Sequence, residues 1–310
     1  MTYDVFKKYI FEQIRSIFPK DTSVSIQTIH KNNQVSLDSL TISEQDCNLS
    51  PAIYLNDLYS LYCSGTAPDQ IIQRILTIYQ QYKPENSIDI SFFTNFSRIR
   101  GNIFFRLINH KKNEELLQEI PHFRYLDLAI VFYTRISTSD FADGTILIHN
   151  SHLKLWDVTP EQLYELARHN TPAALAPLCQ PLTGMLMDMV DDEELSSLLS
   201  DIPSENVPQL YVLTNEKMLF GACALLYPDA LKQLAQKLRQ DLYILPSSIH
   251  EVLLLPAAKG INPARLCEMV YEVNHTQLAP EDILSDQVYF YSHSRDSLWQ
   301  VPQSSTYSLS

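Results

Sequence analysis

Two hydrophobic periods alternate along this chain in short blocks, and that alternation leaves few folds open to it. Phe6, Tyr9, Ile10, Ile14 and Ile17 recur at helical spacing ahead of Pro19, which predicts a first helix within residues 1–18. Val24, Ile26 and Thr28 then alternate with polar residues, Asn32 and Asn33 read as a turn, and residues 35–42 return as a second strand. Ser50, Thr159 and Asn262 each stand directly before a proline, the pattern of a capping side chain ahead of the first helical position. Thr159 also has Gln162 three residues on, as a capping box requires. Ile71, Ile72, Ile75, Ile78, Tyr79 and Tyr82 form the stripe of a further helix, with Thr66 as its expected cap.

Strand patterns follow at residues 103–108 and, as one longer run, at 123–136. A turn at Asp143-Gly144 leads to a partner strand at 145–148. The helix after Thr159 buries Leu163, Leu166 and Ala167 and is expected to end at His169-Asn170-Thr171-Pro172. Residues 191–209 are acidic and Ser-rich, carry Pro203 and Pro208, and read as a linker. Beyond them, residues 209–214 and 220–227 look like paired strands around a turn at 215–217. Leu231, Leu234, Ala235 and Leu238 mark a helix. Extended segments at 243–245 and 250–255, a helix through Leu266, Met269, Val270 and Val273, and a strand at 288–291 complete the pattern. Hairpins alternating with helices predict an α+β fold, with β-hairpins and short antiparallel or mixed sheets packed against amphipathic helices in two or three lobes. The expected divisions are residues 1–115, 116–200 and 201–310, which can also pack as one unit.

Charge narrows the choice of partners. The chain carries 23 basic and 36 acidic residues, a net charge of −13 with histidine neutral, and such a surface repels nucleic acid and anionic membrane. Asp191, Asp192, Glu193 and Glu194 form one acidic run, read as a solvated helix start. Only 6 glycines are present, too few for Gly-rich phosphate loops. The 5 cysteines (Cys47, Cys63, Cys179, Cys223 and Cys267) are odd in number and form no CxxC, which suits free buried thiols in a reducing compartment. The N-terminus shows no secretory pattern, and apolar runs such as 126–133 and 219–227 are too short for a membrane helix. These features predict a cytoplasmic protein whose partner is another protein.

Chemistry-bearing residues concentrate at Leu245-Pro246-Ser247-Ser248-Ile249-His250-Glu251, which brings two hydroxyls, an imidazole and a carboxylate beside an apolar strand. On an extended segment Ser248 and His250 share a face and Glu251 points to the other. A catalytic reading takes Ser248 (or Ser247) as nucleophile, His250 as base and Glu251 as its orienting group. The competing reading makes Pro246-Ser247-Ser248 a turn or bulge, with His250 bonded to backbone. No GxSxG elbow is present. Leu254 stands where a zincin would place its second histidine, so no metal site is expected there. His149 and His152 fall at an expected strand end and read as surface residues. Asp127 reads as structural at a strand start. No cofactor loop is expected.

Seven phrases taken together, residues 50–56, 101–109, 127–129, 169–172, 211–215, 245–251 and 284–289, resemble domain-of-unknown-function family 5688, a bacterial family. The resemblance spans nearly the whole chain. It implies a cytosolic bacterial protein and assigns no activity, cofactor or catalytic residue. It does give weight to Asn170, Asn215 and Ser247 as candidate binding residues, beside Ser248, His250 and Glu251. The function expected is therefore a non-catalytic interaction or regulatory protein. The alternatives are a hydrolase or transferase built on the Ser247/Ser248/His250/Glu251 cluster and an acidic nucleic-acid mimic.

Overall fold

The structure, a computed structural model, describes residues 1–44, 50–83, 91–138, 141–189, 209–246 and 248–302. Two units emerge: residues 1–98 with 135–146, and residues 99–134 with 147–310. The fold is α+β, as the alternating periods require.

The first unit contains helix α1 (Tyr3–Ile17), strands β1 (Ser23–His30), β2 (Ser36–Ser43) and β3 (Ile53–Tyr54), and helices α2 (Leu55–Cys63) and α3 (Pro68–Tyr82). The three strands form an antiparallel sheet in the order β1-β2-β3. Helix α1 turns Phe6, Ile10 and Ile14 inward at i, i+4 and i+8, onto a core that includes Leu40, Ile42, Ile53, Ile71 and Ile75. Asn33 adopts a left-handed conformation at φ 58° in the β1–β2 connection, a geometry asparagine tolerates. Two expected caps fail here. Ser50-Pro51 opens no helix, because the Ser50 hydroxyl donates to the Ile42 carbonyl and the chain stays extended into β3. Helix α3 begins at Pro68 rather than after Thr66, and the Ala67 N–H is met by Gln70 Oε1 at 3.3 Å.

The second unit is built on two sheets. One holds β4 (Ile103–Asn109), β5 (His122–Tyr125) and β6 (Leu128–Thr138), in the order β4-β6-β5; the end of β6 from Arg135 and β7 (Phe141–Leu147) up to Ile146 are grouped with the first unit. Helix α4 (Glu114–Glu119) lies between β4 and β5 in the chain. The expected single strand at 123–136 is thus a hairpin, broken where Leu126 takes φ 56° and Asp127 completes the turn. The expected turn at Asp143-Gly144 lies inside β7. Helices α5 (Asn150–Trp156) and α6 (Pro160–Ala174) follow, then β8 (Pro177–Pro181), α7 (Leu182–Met189), β9 (Tyr211–Asn215), α8 (Ala230–Leu238), β10 (Leu242–Leu245), β11 (Val252–Pro256), α9 (Pro263–Gln277), β12 (Tyr289–Ser292) and β13 (Ser297–Gln300). The second sheet is antiparallel throughout, in the order β13-β12-β10-β11-β9-β8.

The caps of α6 and α9 form as their residue types predict. Thr159 Oγ1 accepts from Gln162 N–H while the Thr159 N–H reaches Gln162 Oε1, and Asn262 Oδ1 accepts from Ala264 N–H. Helix α6 does not stop at His169: it continues through Pro172 to Ala174, since a proline so near the C-terminus removes only one bond of the ladder. Residues 220–227 are no strand either. The close approach of Gly221 to its neighbours curls them into a 3₁₀-helix, Gly221–Leu226. Of the four described cysteines, all free, Cys223 is buried and Cys267 half-buried, but Cys63 and Cys179 are exposed rather than buried. The acidic run at 191–194 and most of the expected linker lie outside the described residues.

Asp127 anchors the second unit. Its carboxylate accepts from Ser285 Oγ at 2.6 Å, Tyr289 Oη at 2.7 Å and Gln300 Nε2 at 2.8 Å, joining the β5–β6 turn to β12 and β13. Nearby, Asn109 Nδ2 donates to the Leu284 carbonyl and Asn274 Nδ2 to that of Ser285. A half-buried carboxylate with three donors is fully employed, which is the structural role expected of it.

Candidate functional site

The residues singled out from the sequence meet where three segments converge: the loop after β9, the connection between β10 and β11, and the stretch following α9. The first is organised by Asn215, fully buried at the end of β9. Its Oδ1 accepts from the N–H groups of Lys217 and Leu219, and its Nδ2 donates to the Leu219 carbonyl. One side chain therefore satisfies three backbone groups and holds the loop in a shape that places Met218 and Phe220 at φ 50°. Asn215, expected as a binding residue, is occupied with this loop. Gly221 then packs so closely that a Cβ there would lie 2.0 Å from Thr214 Oγ1 and 2.4 Å from the His250 carbonyl oxygen.

The β10–β11 connection is knitted to both neighbours. The Ile249 N–H donates to the Asp282 carbonyl, and the Ile249 carbonyl accepts from Ala222 N–H. Thr214 Oγ1 donates to the His250 carbonyl at 2.7 Å, and Ser285 N–H donates to that of Pro246. Ser248 pairs with Ile283 in an isolated antiparallel bridge. His250 and Glu251 precede β11 instead of lying in a strand, because these contacts bend the chain there. Ser247 lies outside the described residues.

Each polar group of the cluster has local work. Ser248 is 4% exposed, and its Oγ accepts the His250 N–H at 2.9 Å. His250 Nδ1 lies 3.3 Å from the Phe220 N–H and 3.1 Å from the Met218 carbonyl oxygen, while Nε2 lies 3.7 Å from Asp282 Oδ1. In the neutral Nε2–H tautomer, Nδ1 accepts from Phe220 and the ring proton points toward Asp282. When doubly protonated, the ring donates to Met218 instead. The imidazole also stacks on Phe220, with ring centres 5.7 Å apart and planes at 17°.

Glu251 is half-buried, and burial raises its carboxyl above the usual carboxylate range. The Ser248 hydroxyl and His250 act the other way, and Asp282 adds to the rise. A carboxylate shifted upward in the folded state contributes stability that is fully present below its ordinary pKa of 4.5 and is lost as pH rises through the folded value. Glu251→Gln is therefore expected to raise Tm at about pH 8 and to leave it unchanged near pH 4. Thermal unfolding of both proteins across that range checks this; a difference that does not vary with pH would contradict it.

Sequence reading missed Arg106. It sits in the middle of β4 among buried apolar residues, with its guanidinium carbon 4.4 Å from the centre of the Phe220 ring. Tyr133 meets the same ring edge-on at 5.2 Å. Arg106, Phe220 and His250 thus form one stacked set. The signal was present: a lone arginine inside an apolar strand pattern has to be explained.

The remaining candidates do not join this cluster. Asn170 Nδ2 donates to the carbonyls of Arg100 and Ile103, and the neighbouring Thr171 Oγ1 accepts the Phe105 N–H, so this phrase clips α6 to β4. His149 and His152 lie at the start of α5 rather than at a strand end; His152 Nδ1 accepts the His149 N–H in a cap. Among the described residues no three His, Cys, Asp or Glu side chains are grouped to hold a metal ion, and no helix is long and apolar enough to cross a membrane. A cavity of about 240 Å³ in the second unit is lined by Tyr125, Tyr227, Asp229 and Tyr291 among others, and Ser248, His250 and Glu251 are not part of its wall.

The model of a family described as a family of unknown function, DUF5688, covers residues 3–293. No curated protein and no solved structure matches the chain.

Proposed function

We propose that this chain, which belongs to the DUF5688 family, is a non-catalytic interaction or regulatory protein of the bacterial cytoplasm. The observation that carries this reading is the state of Ser248. A serine nucleophile needs an exposed oxygen and a base within reach, whereas this one is 4% exposed and holds the His250 backbone. The imidazole is held as well, with Nδ1 against the Phe220 N–H and the Met218 carbonyl oxygen. The cluster then serves as a clasp that fixes three loops against one another. Apolar surface remains on α9, where Met269, Tyr271 and Val273 flank the buried stripe of Leu266, Val270 and Asn274 and are exposed, as suits a protein partner. The acidic balance of the chain argues against direct contact with nucleic acid.

The test is retention of a partner. Tagged wild-type and His250→Ala proteins are passed through native extract of a bacterium that encodes the chain, and retained proteins are identified by mass spectrometry. The proposal expects one protein held by both forms, which then binds the purified chain saturably. No retained protein, with the His250→Ala variant still folded, would favour the second reading.

That second reading is a hydrolase or transferase, and one observation favours it. Glu251, with its raised carboxyl, lies in a neighbourhood that includes His250 and Asp282, and shifted groups of this kind concentrate at active sites.

A further inference from the structure

The Arg106 guanidinium is in an unusual position for a cation. Its Nε is sealed from solvent and has no hydrogen-bond partner. Among the described residues no carboxylate pairs with it, although the chain carries 36 acidic residues. What it has is the face of Phe220 at 4.4 Å, with Tyr133 packed against the same ring at 5.2 Å. Burial makes the charged form less favourable, enough to bring its pKa down to about 10. A cation–π contact offsets only part of such a desolvation cost, and buried charges are otherwise paired. Arg106 as a whole is nonetheless only half-buried, and of its guanidinium nitrogens Nε alone is among the sealed, unbonded atoms, which leaves the Nη edge as the accessible one.

The placement is also fixed in advance. β4 is held on both sides of Arg106: Phe105 N–H is bound by Thr171, and the strand pairs with β6 from Ile103↔Thr134 to Asn109↔Leu128. Phe220 is held by its own N–H contact with His250 Nδ1 and by the Asn215 loop. A guanidinium backed by a fixed aromatic ring, with one edge open and no internal counter-ion, is preorganised for a bidentate oxyanion.

We propose that Arg106 is the anchor of a binding site for the phosphate or carboxylate group of a small ligand. A small anion fits better than a polyanion, because an acidic chain repels an extended array of phosphates. The site needs no catalysis and stands independently of the interaction reading above.

The test uses the full chain with inorganic phosphate in one arm and acetate in the other, each balanced with chloride to constant ionic strength. Binding is followed by thermal shift and by calorimetry for wild type, Arg106→Met, Arg106→Lys and the exposed control Arg265→Met. Wild type and the control are expected to gain Tm saturably with at least one anion. A response to phosphate alone assigns a phosphorylated ligand, and a response to acetate alone assigns a carboxylate. Arg106→Met is expected to show no response while being at least as stable as wild type without anion, since it removes an unpaired cation. Arg106→Lys keeps the charge but not the fork and is expected to bind about tenfold more weakly or worse. It keeps the test decisive if the methionine variant does not fold. No response from wild type to either anion, or an Arg106→Lys response equal to that of wild type, would overturn the proposal.

Discussion

Gly221→Ala is expected to destabilise the second unit by about 3–4 kcal/mol, combining overpacking with the loss of one side-chain hydrogen bond. An added Cβ would lie 2.0 Å from Thr214 Oγ1, 2.4 Å from the His250 carbonyl oxygen and 2.8 Å from the Asn215 nitrogen. Two of those atoms belong to backbone, so no change of rotamer clears them. The third belongs to a hydroxyl that already donates to His250 at 2.7 Å, and moving it breaks that bond. The loop cannot retreat easily either, because Asn215 binds it from the other end through three hydrogen bonds. Scaled by the entropy of unfolding for a body of this size, Tm should fall by roughly 6–16 °C. Urea unfolding followed by far-UV circular dichroism measures it directly. A loss below about 1 kcal/mol would mean that the three segments are not clasped as described.

Asp127→Ala should cost a similar amount for a different reason. It leaves three donors facing an empty site, and Ser285 and Tyr289 among them are fully buried. Breaking charge-assisted bonds while stranding buried hydroxyls typically costs about 3–5 kcal/mol. Asp127→Asn separates the two contributions. The amide keeps the shape and one acceptor oxygen but turns an NH₂ toward either Ser285 or the Tyr289–Gln300 pair. Its cost should be about half as great, since only part of the network is mispaired. The same denaturation experiment, run on both variants, resolves the difference. A full loss in Asp127→Ala with none in Asp127→Asn would mean that volume rather than hydrogen bonding matters at this turn.

Much of the fold was legible because local and tertiary preferences agree. Phe6, Ile10 and Ile14 form a helical stripe in sequence and a buried one in the structure, and Thr159 and Asn262 cap where their chemistry allows. Misreadings arose where distant partners decide. The Ser50 hydroxyl turns to Ile42 instead of capping, and no window of sequence around Ser50 contains that partner. Residues 220–227 are apolar without a period, and the local sequence does not contain the partners, Thr214 and His250, against which Gly221 packs at the start of the 3₁₀-helix. Leu126 carries no turn signal, because leucine rarely takes a positive φ; the hydrogen bonds that Asp127 makes with β12 and β13 hold the turn.

The candidate site was legible in composition more than in geometry. Ser248, His250 and Glu251 were found because polar chemistry is sparse near an apolar strand, yet their partners, Asp282 and the residue 214–222 segment, lie far away in the chain. Asn215 and Asn170, expected as binding residues, make side-chain hydrogen bonds to backbone. Arg106 was overlooked because a strand pattern absorbs one polar residue without comment. Only the packed structure reveals that this arginine has an aromatic ring where a carboxylate would be expected.

The central claim, that the Ser248–His250 segment is a clasp and not a catalytic centre, can be tested chemically. Wild-type protein and the Ser248→Ala variant are treated with a fluorophosphonate, which reacts only with an activated serine, and intact and peptide masses are recorded. A hydrolase of known activity serves as the labelling control. The clasp predicts that Ser248 carries no adduct when the control is fully labelled. A stoichiometric adduct on Ser248, lost when His250 is replaced by glutamine, would contradict it and make this segment the nucleophile and base of an enzyme.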